Sequence, residues 1–553
     1  MTTQRLWMLA AASAAAGALI GGPEVIRAVE IGIEPVAASD DQAVQGRGRG
    51  RQGGGPGGIV PAPARRPGEG QGPFASMVIT NVMVIDGTGA PPYGPMNVWV
   101  ENNRIARIQG AGTPGVPRRQ GGAPPNADHV IDGTGMYLLP GFVDLHVHAG
   151  GPPKNAEAEY AYKLWLAHGV TTVRGVSLGP NAFAISEKAR SEKNEIAAPR
   201  IFNYQRPGDT SSPEAARAWV RQHANEIDGL KLGSHEPAVM AALLDEAKKL
   251  GLGSTAHLAQ NGVAQMNAID AARLGLGTVT HFYGHFESLL KDYVVQPWPV
   301  DMNYNDEQWR FGQVARLWDK IHPPGSPEWK AYLTEHKALG TTFDPTMTIY
   351  SAGRDVMRMR NADWHETYTL PSLMDFYAPS RTSHGAYWYD WTTEDEIAWR
   401  NFYQVWFTLV NDYKKMGGRV TTGSDSGFIY QTYGFGYVLE LELLQEAGFH
   451  PLEVIQAATM NGALTLHEPK HLPIEFGVVK PGLLADLVLV DQNPLQNLKV
   501  LYGTGAVRLN DQTGDVERVG GVKFTIKDGV VYDAKQLLAD VAAMVEKQKR
   551  ERQ

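Results

Sequence analysis

The chain contains no cysteine. That excludes disulfides, thiolate metal sites, a cysteine nucleophile and a lipoprotein anchor through cysteine. Any metal must be held by His, Asp, Glu or Lys. Positive charge is not in excess either: the formal net charge is −8 at pH 7. The whole-chain balance therefore gives no support to a nucleic-acid partner. Long apolar runs are scarce. One, Leu6 to Ile20, is alanine-rich, follows Arg5 and is too short to span a bilayer comfortably. Residues 1–22 read as a signal peptide, which predicts an exported, periplasmic or secreted protein with no stable membrane anchor.

What is present fits a globular chain. It has 553 residues, 43% hydrophobic and 20% charged, enough for one large domain with additions or for two to three domains. Residues 23–73 include the run GRGRGRQGGGPGG and a Pro- and Arg-rich continuation. Such a segment buries too little apolar surface to order itself, and a flexible, disordered tether is favoured over an RGG-like nucleic-acid segment. Alternating strand patterns then appear at residues 74–138 and again at 476–533, with turns at Asn102-Asn103 and Asp528-Gly529. They predict one small β-sandwich domain built from both chain ends, with residues 534–553 as a terminal helix. Between them, residues 139–475 alternate strand and helix. That spacing argues for a parallel sheet and an α/β, TIM-like (β/α)8 barrel, whose working residues stand at the C-terminal ends of the strands.

Polar residues fall at those ends. The stretch Gly141-Phe142-Val143-Asp144-Leu145-His146-Val147-His148 is a short apolar strand carrying His146 and His148. Two residues apart on a strand, both imidazoles share a face and suit a borderline metal such as zinc. Later strands end at Lys231, His257, His281 and Asp425. Each alone has an ordinary reading, a snorkelling lysine or an aspartate in a turn. Together they predict one mouth.

The run from Tyr137 to Gly151 resembles the first barrel strand of the amidohydrolase superfamily. Asp228-Gly-Leu-Lys, Thr255-Ala-His, Thr278-Val-Thr-His and Thr422-Gly-Ser-Asp resemble the later ligand strands in order. The stretch from Gly477 to Leu495 resembles the family's return to the β-domain. The likeness covers roughly residues 74–285 and 405–533 and is nearest to the binuclear branch of imidazolonepropionase-like enzymes and Xaa-Pro dipeptidases. It departs where Gly175 follows Arg174, a place the family often fills with Asp. The resemblance implies two divalent metal ions, zinc expected. His146, His148 and Asp425 would hold one and His257 and His281 the other, with a carbamylated Lys231 bridging them. It also implies hydrolysis of an amide bond by attack of a metal-bridging hydroxide, with Asp425 as proton shuttle, in the manner of a dipeptidase or an N-acyl amino-acid hydrolase acting on a small molecule or short peptide.

Other readings stay open. A lactone or ester hydrolase, a deaminase and a non-catalytic metal-stabilised binding protein share this fold. A deaminase usually has an acid on a His-x-x-Glu segment, whereas Leu-Ala-Gln follows His257. His285 and Tyr350 are candidate substrate contacts, and a homo-oligomer is an open expectation. The insertion at about 286–404 matches nothing in the resemblance. Its tryptophans, Trp298, Trp309 and Trp388 among them, predict an ordered lid.

Overall fold

The computed structural model describes residues 58–112, 126–381 and 384–553. The expected signal peptide at 1–22 and most of the expected linker lie outside them.

Eight parallel strands form the main sheet, paired in chain order. They are Phe142–Val147, Val170–Val176, Arg200–Gln205, Gly229–Leu232, Gly253–Ala256, Thr278–Thr280, Thr342–Asp344 and Arg419–Val420. All are short and almost wholly buried, as strands covered by helices on one side and packed inward on the other must be. The last stretch returns to the first: Leu145 N donates to Thr422 O (2.9 Å) and Asp425 N to His146 O (2.8 Å). The sheet thus curls round on itself, consistent with the expected (β/α)8 architecture. The third strand is not marked in the sequence pattern. Its composition, Arg-Ile-Phe-Asn-Tyr-Gln, hides a buried strand behind polar residues.

Strands of both chain ends join in one eight-stranded sheet, and the expected two-layer sandwich is not confirmed. Leu487–Val490 pairs antiparallel with Tyr137–Pro140, fastening the C-terminal strands to the N-terminal ones. Met77, Val98, Leu138, Leu487 and Ile526, drawn from strands across this sheet, pack in one core. At the predicted turns Asn102 (φ 56°), Asp528 (φ 51°) and Gly529 (φ 74°) adopt the left-handed backbone a tight hairpin needs. Arg200 fastens the two sheets, its guanidinium bonded to Asp486 and Asp528.

Residues 58–73, expected to be part of the disordered linker, run as a strap along the body. Val60 bridges Glu157, Ala62 is buried with its N–H on Glu187 (3.1 Å), and Gln71 exchanges backbone bonds with Val531. Lys163, buried, ties Glu69 of the strap to Glu159 and to Asp540 of the helix Ala534–Glu551. A glycine- and proline-rich composition gives the strap no core of its own; borrowed partners order it. Among the described residues no helix is long and apolar enough to cross a membrane.

Two connections of the main sheet are long. The one after Thr278–Thr280 carries helices Glu307–Ala315 and Pro327–Ala338; the one after Thr342–Asp344 carries several short helices and Thr393–Lys415. The last is capped by a reciprocal Thr392/Asp395 box. The described part of the insertion is thus largely helical.

Candidate metal centre

His146 and His148 leave the first strand on the same side, and Asp425 enters from the last. One ligand atom from each lies within 4.8 Å of the others, and all three residues are buried. His148 Nδ1 donates to the Ser177 carbonyl at 3.1 Å. A carbonyl only accepts, so the proton is on Nδ1 and the Nε2 lone pair faces Asp425 Oδ1, 3.5 Å away. Burial first, then the charge of Lys231, holds both His146 and His148 well below the usual imidazole range. They are neutral, the state in which imidazole binds a metal.

The other predicted residues adjoin this trio. His281 Nε2 lies 3.5 Å from Asp425 Oδ2, with its Nδ1 hydrogen-bonded to the Thr346 hydroxyl. His257 stacks edge-on to His281, with centroids 4.8 Å apart. Lys231, buried, brings Nζ to 3.3 Å from His146 Nε2. The structure therefore brings together all six residues expected at the mouth. Imidazoles facing a carboxylate in a buried mouth are a donor set that a divalent cation fits.

The backbone is bent to this end. Ser177 (φ 61°), His281 (φ 66°), Thr346 (φ 45°) and Asp425 (φ 48°) are all left-handed although none is glycine. Such conformations cost free energy and gather where side chains must be aimed. At Gly423 a Cβ would meet Asp344 Oδ1 at 2.6 Å and His146 Cβ at 2.8 Å. Only glycine lets the Asp425 loop come so near the first strand.

The floor holds residues that the sequence reading did not single out. Arg174, fully buried, donates to Leu145 O (2.7 Å), Asp344 (2.8 Å) and the hydroxyls of Thr278 and Thr255. It thereby links the first, fifth, sixth and seventh strands beneath the ligands. Burial pushes Asp344 up to about 6 against the pull of Arg174 and Lys231. Asp144 is pushed up to about 8 by burial, although it accepts from Ser424 Oγ (2.6 Å) and from the His146 and Ser424 amides. A charged residue inside an apolar strand was the signal for both Asp144 and Arg174.

Above the metal site lies a narrow cavity lined by His148, Arg206, His257, Tyr283, Phe311, Ile349, Tyr350, His384, Asp425, Phe428 and Ile429. Space for the centres of water-sized molecules is about 20 Å³, enough for a water or so. Tyr350, predicted as a contact, is here, its hydroxyl donating to Tyr283 Oη at 2.8 Å. His285 is not. It is buried behind the mouth, with Nδ1 2.6 Å from the Tyr332 hydroxyl and its ring against Phe343 and His336. Four residues past His281, the chain has already turned into the helical layer, and the expected substrate contact is packing.

An α/β fold of this type with buried histidines and an aspartate at its strand ends defines a class of metal-site proteins, and comparison with known proteins agrees. Residues 407–531 match the amidohydrolase family. The chain is 24% identical over 237 residues to an N-acetylglucosamine-6-phosphate deacetylase of Lysinibacillus sphaericus, covering 38% of this chain and 57% of that protein. It is 31% identical over 217 residues to a dihydroorotase of Thermus aquaticus, covering 37% and 41%. The chain thus spans about half the length of the curated relatives it matches. A crystal structure of a Xaa-Pro dipeptidase superposes with a TM-score of 0.52 at 19% identity, over 83% of this chain and 100% of that one. The resemblance to the amidohydrolase superfamily read from the sequence is borne out.

Proposed function

We propose that the protein is a metal-dependent hydrolase that cleaves an amide bond. The observation that carries this reading is the convergence of His146, His148 and Asp425, buried and within 4.8 Å of one another, at the strand ends. The deacetylase, dihydroorotase and Xaa-Pro dipeptidase names of the similar proteins point to the same class. His146, His148 and Asp425 would hold one divalent ion and His257 and His281 a second, zinc being the ion this donor set favours. Bound there, the pair supplies a nucleophile at neutral pH and a Lewis acid for the carbonyl.

The chain's own groups do the rest. Lys231 is buried, with Nζ 3.3 Å from His146 Nε2. Carbon dioxide added to its amine, with loss of the proton on nitrogen, would give a carbamate anion that could help to hold the metal pair. Asp425 presents Oδ1 to His148 and Oδ2 to His281. It takes the proton of the attacking water and hands it to the leaving nitrogen. The insertion acts as a lid: Phe311, Ile349, Tyr350 and His384 close over a cavity too small for an amide substrate, so these segments open for entry. An N-terminal signal at 1–22 would take the enzyme out of the cytoplasm.

Metal analysis of the purified protein, then a panel of dipeptides and N-acyl amino acids with and without added zinc, tests this reading. Zinc-dependent release of free amine is the predicted result. Turnover restricted to esters or lactones would move the assignment to those bonds.

A further inference from the structure

The loops that carry His257 and His281 are joined by one buried carboxylate. Three residues past His257 stands Gln260, and three past His281 stands Gly284. Glu287, at the start of the short turn Glu287–Leu289, accepts from both. Its Oε1 receives the side-chain amide of Gln260 at 2.6 Å and that of Gln296 at 3.0 Å. Its Oε2 receives the Gly284 N–H at 2.9 Å. Gln296 also donates to the Gln260 carbonyl at 3.3 Å. Gln260, Glu287 and Gln296 are all buried. The Lys231 loop is tied in alongside: Ser234, three residues past Lys231, donates from Oγ to the Leu258 carbonyl at 2.5 Å.

Packing leaves this joint little freedom. Gly284 is left-handed (φ 84°), and a Cβ there would meet Ala268 N at 2.4 Å and Leu258 Cδ1 at 2.9 Å. Ala259, next to Gln260, is left-handed as well (φ 55°), a conformation that its surroundings must hold. A carboxylate is costly to bury without donors. Burial pushes the Glu287 carboxyl up, while Gln260, Gln296 and the Gly284 amide pull it down. Glu287 does not line the cavity above the metal site, so it touches neither ion nor substrate there. What its bonds do is set the spacing of two loops, and that spacing sets where two imidazoles converge. We propose that Glu287 is a positioning residue that clamps the His257 and His281 loops at the separation the second metal ion needs. This rests on the two-ion hydrolase reading, and the test separates the two.

Zinc is titrated into full-length, metal-stripped wild type, Glu287→Gln, Gln260→Ala and His257→Ala against a competing chelator, with Tm followed in parallel. His257→Ala identifies the binding step that belongs to the second ion. Glu287→Gln keeps the size but sets an amide N–H against the donors of Gln260 or Gly284. The second step should then weaken by about 10- to 100-fold, the usual cost of losing a group that orients a ligand, with the first step within about twofold of wild type. Gln260→Ala removes one arm of the clamp and should weaken the same step less. If Glu287→Gln does not fold, an unchanged second step in Gln260→Ala overturns the proposal. Equal weakening of both steps, or a lower Tm with both affinities kept, would make Glu287 a fold element only and overturns it too. So does a wild type that binds one ion or none. Amide hydrolysis is assayed on the same samples. A second step that depends on Glu287 in a protein that hydrolyses no amide would sink the hydrolase reading and leave the clamp standing. Hydrolysis with a second step indifferent to both Glu287→Gln and Gln260→Ala would do the reverse.

Discussion

Among single residues, Asp425 and Lys231 carry most of the proposed chemistry. Asp425 faces His146, His148 and His281 at 3.7, 3.5 and 3.5 Å, so one carboxylate is placed to bind metal and to move a proton. Asp425→Asn keeps the size and one oxygen but removes the base. Metal should be largely retained and kcat should drop by ~10²–10⁴; near-normal kcat by steady-state assay would refute the shuttle. Lys231→Ala removes the proposed bridging anion. At least one metal should be lost and activity nearly abolished, with acetate or propionate restoring part of both. Two metals and full activity without added acid would make Lys231 an ordinary strand-end lysine. The six mouth residues were legible in the sequence because strand ends are regularly spaced between helices. Arg174, Asp344 and Arg206 were not. Nothing in linear order says that Arg174 crosses the floor to Asp344. The third strand, which aims Arg206, was itself hidden by its polar composition. His285, a candidate contact, packs against Tyr332, His336 and Phe343 instead, because four residues of chain suffice to turn a side chain from the mouth into the helix layer.

At the scale of elements, the long connections form the roof. Their existence and order followed from loop length and aromatic content. Which residues reach the cavity did not, since that depends on how short helices dock. The stretch 384–390 is held by polar bonds at its edge. His384 pairs with Glu307 at 2.6 Å, Tyr389 donates to Asp306 at 2.9 Å and the Asp390 amide to Gln308 at 2.7 Å. Between those bonds Ala386, Tyr387 and Trp388 are buried, with Tyr387 stacked on Phe311 at 4.5 Å, so opening the roof costs apolar contact as well as polar bonds. Replacing 380–390 by a Gly/Ser segment of equal length should raise KM about tenfold, the worth of one or two such bonds. Bound metal should stay constant. Loss of metal from a folded variant would contradict the lid.

At the scale of the whole molecule, several histidines are packed away uncharged. His168 is fully buried, its Nδ1 2.8 Å from the Leu164 carbonyl, and burial lowers it to about 4. The unfolded chain takes up this proton near pH 6.5 and the folded chain only near 4. Stability from this group is therefore intact above pH 6.5 and falls as pH drops toward 4. At pH 5 the loss is about 2 kcal/mol. Urea unfolding of wild type and His168→Asn at pH 7 and pH 5 should show a smaller acid loss in the variant; equal losses would place the acid sensitivity elsewhere. The union of both chain ends in one sheet was legible from two sets of matching strand patterns. The number of layers was not, because alternation shows that a strand has an apolar face without showing what covers it. Nor was the strap at 58–73, whose order comes from partners such as Lys163 and Val531. The central claim is that the His146–His148–Asp425 site works by metal. It is tested most directly by stripping the full-length protein with chelator and following amide hydrolysis as zinc is returned in measured equivalents. The metal-free protein should be inactive, and activity should rise and saturate at about two ions per chain. Undiminished hydrolysis by the stripped protein, or a His146→Ala/His148→Ala variant that saturates at the same point with the same rate, would contradict it.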